Sequence, residues 1–243
     1  MRRKICMFWI VFSCLALCFV SLIGVFSQIQ QSEPTLASYS ATPIVIIDAG
    51  HGGMDGGAMG VDGQIEKEIN LSIALKLDTM LRAYGFETIL TRNSDVSIHS
   101  ADAKTVRQQK SSDLKNRLKL LEDTSSGILI SIHQNKYSQS SACGTQVFYG
   151  RNCPESKELA EMLQKTITGY LQPENKREIK QATKDIYLLY QVTKPAVMVE
   201  CGFLSNAEED RLLQEPAYQM KLAITMAACY LSSGSSQEGE SFV

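Results

Sequence analysis

Short apolar runs alternate with amphipathic helical patterns along residues 43–231, and this alternation restricts the possible folds more than any other feature of the sequence. Residues 44–47 form a run of β-branched and aliphatic side chains, which is typical of a buried strand. Residues 66–84 instead place apolar side chains at helical spacing. Because alternating strands and helices usually build a parallel sheet, we predict a single α/β domain with a largely parallel sheet.

The remaining predicted elements follow the same alternation. Further strands are predicted at 87–91, 127–131, 145–149 and 196–199, and further helices at 101–124, 155–171 and 217–231. Leu114, Leu118 and Leu121 predict one buried face on the helix at 101–124. Ser205 and Glu208 have capping-box spacing, which predicts the start of an additional short helix.

The N-terminal segment has the character of a membrane anchor or a signal peptide. Three basic residues precede a run at 5–27 that contains no charged side chain and is long enough to span a bilayer. The positive flank should stay in the cytoplasm, so the domain should lie outside. The length of the run favours an uncleaved anchor, while small residues at 36–41 leave cleavage open.

These observations divide the chain into four parts. We predict an anchor or signal peptide at 1–27, a linker at 28–42, a globular domain at 43–231 and a flexible tail at 232–243. The formal net charge is −2, and no long basic run is present. Because nucleic-acid binding needs a basic face, no nucleic-acid partner is expected.

Reactive residues are concentrated where predicted strands end. His51 follows the first strand, His133 follows the third, and Glu200 follows the strand at 196–199. Glu66 lies where a glycine-rich loop enters the first helix. Ligands of open α/β sheets gather at the carboxyl ends of strands, so these four side chains should converge. Two imidazoles and one carboxylate can bind zinc, and a further carboxylate can move protons, which suits amide hydrolysis.

Each of these residues also has an ordinary structural explanation. His51 can belong to a phosphate-binding loop or a turn, and His133 can be a core histidine bonded to the backbone. Glu66 can simply favour the positive end of a helix. A carboxylate ending a buried strand needs a partner, which makes Glu200 the least ordinary of the four.

Other polar residues compete for the same roles. Asp48 and Asp55 are rivals of Glu66 as the carboxylate ligand, and Asp48 can equally orient a ligand histidine from outside the coordination shell. His99 lies in a loop and is predicted to be a surface histidine.

Cysteine chemistry offers a different mechanism. The four cysteines of the predicted domain are Cys143, Cys153, Cys201 and Cys229. None forms a CxxC pair, so a structural zinc site on sulfur is not expected, and buried free thiols are favoured over disulfides. Cys201 beside Glu200 raises the possibility of a thiol nucleophile with a histidine base, but a small buried hydrophobe explains this residue equally well.

Four motifs resemble the zinc-dependent N-acetylmuramoyl-L-alanine amidases of the type 3 group. They are Asp48-Ala49-Gly50-His51-Gly52-Gly53, Glu66-Lys67 through Asn70-Leu71, Ser131-Ile132-His133-Gln134-Asn135, and Val199-Glu200-Cys201-Gly202-Phe203-Leu204-Ser205-Asn206. They follow the family's order and cover nearly the whole domain. The family usually has proline where this chain has Ala49, which changes loop stiffness and removes no ligand.

The resemblance implies a role for each of the four residues. His51, Glu66 and His133 match the zinc ligands, and Glu200 matches the catalytic glutamate. The implied reaction is hydrolysis of the amide between N-acetylmuramic acid and L-alanine in peptidoglycan. The implied fold is a twisted, mostly parallel sheet flanked by helices.

A narrower resemblance concerns residues 110–118 and 185–189, which look like the germination-specific amidases of spore cortex. It implies that a separate deacetylase converts the product into muramic-δ-lactam, and an activating protein is a further candidate partner. The enzyme is then expected outside the cytoplasm, membrane-anchored or secreted. Two alternatives stay open: an amidase for turnover or division of the vegetative wall, and a non-catalytic regulator that binds peptidoglycan.

Overall fold

The computed structural model describes residues 43–234. The predicted anchor at 1–27, the linker at 28–42 and residues 235–243 lie outside the described part of the chain. Within residues 43–234, no helix combines the length and the apolar composition needed to cross a membrane.

Six strands form the sheet that the described residues build, in the order β2-β1-β3-β6-β4-β5. They are β1 (Ile44–Ala49), β2 (Thr88–Leu90), β3 (Gly127–Asn135), β4 (Gln146–Tyr149), β5 (Lys180–Gln181) and β6 (Ala196–Phe203). The neighbouring pairs are parallel except for β4 and β6, which run antiparallel. The prediction of an α/β domain with a mostly parallel sheet is therefore confirmed.

Helices cover both faces of this sheet. They are α1 (Glu66–Ala83), α2 (Val106–Asp123), α3 (Pro154–Tyr170), α4 (Tyr187–Gln191), α5 (Ala207–Gln214) and α6 (Pro216–Gly234). Alternate residues of a strand point to opposite faces. Val45 and Ile47 accordingly pack in the cluster that includes α1, α3 and α6, while Ile46 packs with Leu121 of α2 and Leu188 of α4.

The end of α1 shows how local sequence sets an element boundary. Gly85 follows the helix with a φ of 87°, a left-handed conformation that glycine adopts without steric cost. Its amide donates to the carbonyl of Arg82 at 3.0 Å, which satisfies one of the last helical acceptors. Gly85 therefore ends α1 as a C-terminal glycine.

The buried face of α2 differs from the prediction. Leu121 is buried, but Leu114 is 39% exposed, and Asp113 and Arg117 occupy the inner face instead. These two side chains form an ion pair of 2.6 Å within the helix. The apolar stripe therefore covers only the C-terminal half of the helix.

Two smaller expectations also need correction. The helix α5 is capped by Asn206, whose side chain accepts from the amides of Glu208 and Glu209, so Ser205 and Glu208 do not form the predicted capping box. The strands β3 and β6 continue beyond their predicted ends to Asn135 and Phe203.

Candidate metal centre

His51 lies in a tight loop immediately after β1. Its φ is 62°, a left-handed conformation that is uncommon for a residue with a side chain. Gly50 precedes it, and a Cβ atom on Gly50 would come within 2.3 Å of ring atoms of His133. The glycine before His51 therefore allows the His133 ring to lie against the loop.

The structure brings His51, Glu66 and His133 together. The Oε1 atom of Glu66 lies 3.3 Å from Nε2 of His51 and 3.1 Å from Nδ1 of His133. The two imidazole rings meet edge to face, with centroids 4.9 Å apart. One donor atom from each side chain lies within 4.8 Å of the others, so the three can contact one ion. Two imidazoles and one carboxylate are a donor set that fits zinc.

Backbone and side-chain donors fix the carboxylate of Glu66. Its Oε2 accepts from the amide of Ala58 at 2.8 Å, and its Oε1 accepts from the amide of Gln134 at 3.0 Å. Burial opposes the charge of Glu66, but hydrogen bonds from His133 and His51 hold its pKa well below its usual range. Glu66 is therefore an ionised carboxylate in a nearly closed environment.

A second carboxylate orients His51 from behind. The Nδ1 atom of His51 lies 2.9 Å from Asp55, and Asp55 also contacts Lys110 at 2.7 Å. Burial lowers the pKa of His51, but hydrogen bonds with Asp55 and Glu66 outweigh it and raise that pKa to about 9. Asp55 thus contacts the far side of the imidazole ring and lies outside the donor cluster, as an outer carboxylate of a metal-binding histidine does.

Glu200 lies beside the cluster without joining it. It is the register partner of His133 on the adjacent parallel strand. Its Oε2 atom is buried and accepts no hydrogen bond from the described residues. Burial raises the pKa of Glu200 to about 7, which suits a group that takes up and releases protons near neutrality.

Asp48 has a different role from the one predicted. It is buried and accepts hydrogen bonds from Thr91 at 2.8 Å, from Ser131 at 2.6 Å and from Arg117, and it does not orient a histidine directly. Burial opposes its charge, yet Arg117 and these hydroxyls lower its pKa. Asp48 therefore anchors a buried polar network beneath the loop.

Sequence reasoning missed the arginine of this network. Arg117 follows Asp113 by four residues on a helix, a spacing that indicates an ion pair, but the pattern alone does not show that the pair faces inward.

An open groove extends from the histidines between α2 and α4. Its volume is about 310 Å³, and Lys110 and Leu114 line one wall while Ile186 and Tyr187 line the other. The groove is large enough for several atoms of a ligand that reaches the cluster. Leu114 is exposed because its side chain lines this open groove.

Two other sequence candidates lie outside the chemistry. His99 is half-buried, its Nδ1 lies 2.9 Å from the hydroxyl of Ser97, and it is not part of the cluster. Burial raises the pKa of the Cys201 thiol strongly. Because the thiolate is the nucleophilic form, this environment opposes the alternative cysteine mechanism.

Comparison with known proteins gives consistent similarities. The profile of the N-acetylmuramoyl-L-alanine amidase family matches residues 45–229. The germination-specific N-acetylmuramoyl-L-alanine amidase of Bacillus subtilis (strain 168) is 36% identical over 186 residues, which cover 74% of this chain and 75% of that protein. The amidase LytC of the same strain is 31% identical over 181 residues, covering 74% of this chain and 33% of LytC.

The fold is also similar to solved amidase structures. The CwlD amidase from Clostridioides difficile, in complex with the GerS lipoprotein, has a TM-score of 0.76 and 38% identity. The similarity covers 80% of this chain and 100% of that one. The catalytic domain of CwlV from Bacillus (Paenibacillus) polymyxa has a TM-score of 0.65 and 30% identity, covering 79% and 98% of the two chains.

Proposed function

The chain belongs to the N-acetylmuramoyl-L-alanine amidase family and is thus a peptidoglycan amidase, and we propose that it works with zinc on the peptidoglycan of spore cortex. The observation that supports the zinc site is the convergence of His51, Glu66 and His133 within 4.8 Å, next to Glu200, whose Oε2 atom is buried. A zinc ion in such a site supplies Lewis acidity towards an amide carbonyl and towards water.

The protein's own groups then divide the remaining work. His51 and Glu66 are held in place by Asp55 and by backbone amides, so little reorganisation accompanies ligand binding. Glu200 accepts a proton from the attacking water and returns it to the nitrogen of the departing L-alanine.

Several features support spore cortex as the substrate. The germination-specific amidase of Bacillus subtilis is 36% identical to this chain, over 75% of its own length. The walls of the groove come from the segments around Lys110 and Tyr187, where the sequence resembles that subgroup. In this proposal, stem removal exposes muramic acid for a separate deacetylase, and muramic-δ-lactam follows.

The location and the partners form part of the same proposal. Segment 1–27 exports the domain and anchors it to the membrane, or is removed as a signal peptide, so the enzyme acts outside the cytoplasm. The CwlD structure contains the GerS lipoprotein. An activating protein outside the membrane is therefore a reasonable partner for this chain as well.

Stem release from purified spore cortex and from vegetative peptidoglycan tests the proposal. Residues 36–243 loaded with zinc should release peptides with a free N-terminal alanine from cortex, and a chelator should abolish the release. Preference for vegetative peptidoglycan would replace the cortex assignment by wall turnover or division. Peptidoglycan binding without release, in the presence of bound zinc, would indicate either a missing activating partner or a non-catalytic regulatory protein.

A further inference from the structure

Three consecutive carbonyl groups beside the cluster accept hydrogen bonds from two buried arginines. Arg117 donates to the carbonyls of Ala49 at 2.9 Å and His51 at 2.7 Å. Arg92 donates to Ala49 at 2.9 Å and to Gly50 at 3.0 Å. The two arginines are 2% and 3% exposed.

Three consecutive residues of the loop have positive φ values. His51 has a positive φ, and Gly52 and Gly53 follow with φ values of 134° and 53°. Each of the three carbonyls at 49–51 accepts a hydrogen bond from a guanidinium group. A guanidinium is planar and presents its donors in a fixed fork, so it can set the direction of two carbonyls at once.

The arginines also connect the loop to the rest of the cluster. Arg92 donates to the carbonyl of Lys67 at 2.7 Å, in the first turn of the helix that begins with Glu66. Asn70 on the same helix donates to the carbonyl of Gly50 and to Glu66. The loop that holds His51 and the helix that holds Glu66 are therefore joined through buried donors.

Charge balance shows why the two arginines differ. Arg117 is neutralised by the carboxylates of Asp48 and Asp113. The hydrogen bonds of Arg92 within residues 43–234 all go to carbonyl groups, including that of Ser94 at 3.1 Å. Replacing Arg92 therefore removes donors from the loop and leaves no hydrogen-bonded carboxylate unpaired.

We propose that Arg117 and Arg92 are positioning residues that set the metal affinity of the site by fixing the His51 loop against the Glu66 helix. The inference rests on the proposed zinc site. Neither arginine contacts the cluster side chains directly in the hydrogen bonds described above, so each acts through the backbone. Outer groups that orient metal ligands typically change metal affinity about 10–100-fold when they are removed.

Zinc titration of four proteins tests the inference: the wild type, Arg117→Lys, Arg92→Lys and the control Arg82→Lys. Lysine keeps the charge but cannot hold two carbonyls in fixed directions. Arg82 is a suitable control because it donates to Asp78 and to the carbonyl of Thr88, away from the loop. Competition with a chelating dye gives the dissociation constant, and circular dichroism confirms folding.

Both loop variants should bind zinc about 10–100-fold more weakly than the wild type, while the control stays within twofold. Excess zinc should restore most of the stem release, and the visible spectrum of the cobalt-loaded variants should shift. These readouts separate positioning from a purely structural role, which would lower stability without altering the affinity of the folded protein.

Wild-type affinity and an unshifted cobalt spectrum in either folded loop variant would overturn the inference for that arginine. A wild type that binds no zinc would overturn both the inference and the proposed zinc chemistry. A wild type that binds zinc but releases no stems would contradict only the proposed function, because the titration still decides the role of the arginines.

Discussion

His133 and Glu200 face each other as register partners on the adjacent parallel strands β3 and β6. Side chains at paired positions of parallel strands point to the same face of the sheet, so the imidazole and the carboxylate share one environment. His133 contacts Glu66 at 3.1 Å, whereas Oε2 of Glu200 is buried without a hydrogen bond from the described residues. The pair therefore separates a group that can bind metal from a group that can move protons.

Replacing Glu200 should stop turnover and leave metal binding intact. Glu200→Gln keeps the size of the side chain but removes its ability to accept a proton, so stem release should fall about 10²–10⁴-fold. Zinc content after dialysis should stay at the wild-type level. His133→Ala is the contrasting variant and should lose zinc. Full activity of Glu200→Gln, or stoichiometric zinc in His133→Ala, would contradict the assigned roles.

A methyl group at Gly50 should disrupt the cluster. The added Cβ atom of Gly50→Ala would lie 2.3 Å from ring atoms of His133, so either the loop or the ring must move. We expect weaker zinc binding and reduced stem release in a protein that still folds. Gly169→Ala is the matched control, because a Cβ atom there meets nothing within 4 Å. Equal zinc affinity in both variants would show that contact between a side chain at position 50 and the His133 ring does not affect metal binding.

Asp48 should stabilise the fold strongly at neutral pH. Asp48→Asn removes one of the two carboxylates that pair with the buried Arg117, while Asp113 stays in place. The unfolding free energy should therefore fall, by less than the about 3–5 kcal/mol that a buried charge left wholly unpaired typically costs. Urea unfolding at pH 7 measures the difference from the wild type. The control Asp123→Asn breaks an exposed pair with Lys119 and should change the stability by less than about 1 kcal/mol.

The effect of Asp48→Asn should also depend on pH with a definite sign. Folding lowers the pKa of Asp48. The ionised carboxylate therefore stabilises the folded protein fully above its unfolded-state pKa, which is near 4. This stabilisation is lost as the pH falls through the lower pKa of the folded state. The difference in unfolding free energy between the wild type and Asp48→Asn should therefore be largest at pH 6 and shrink steadily below pH 4. A difference that grows on acidification would be inconsistent with the lowered pKa.

The thiols should differ greatly in reactivity. Cys143 is exposed, whereas burial raises the pKa of Cys153 and of Cys229 to about 11. Because only the thiolate reacts, Cys143 should account for the fast phase with a disulfide reagent at pH 8. The experiment uses residues 36–243, and Cys143→Ser should remove that phase. A fast phase that persists in the variant would show that a buried thiol is accessible.

Local patterns in the sequence predicted much of the fold. The β-branched run at 44–47 and the helical spacing at 66–84 correspond to β1 and α1, because these segments have strong periodicity and a glycine stop. The approach of His51 to His133 followed from the shared direction of parallel strands.

Contacts between distant segments could not be predicted in the same way. Arg117 and Asp48 are 69 residues apart, and the pairing depends on which face of α2 turns inward. The leucine stripe suggested another face, whereas Asp113 and Arg117 occupy the inner face of the helix in the structure. The contact of Asp55 with the far side of the His51 ring was equally hard to predict. The distance between the two side chains depends on loop dihedral angles that are set by glycines.

The two edges of the sheet are unusually brief, and this affects how the protein behaves in solution. The strand β2 has three residues and β5 has two, and both residues of β5, Lys180 and Gln181, are exposed. Unpaired edges are templates on which further chains can add, and short or lysine-bearing edges resist such addition. We therefore expect the protein to form little intermolecular β-structure even at high local concentration, although both edges of its sheet are unpaired.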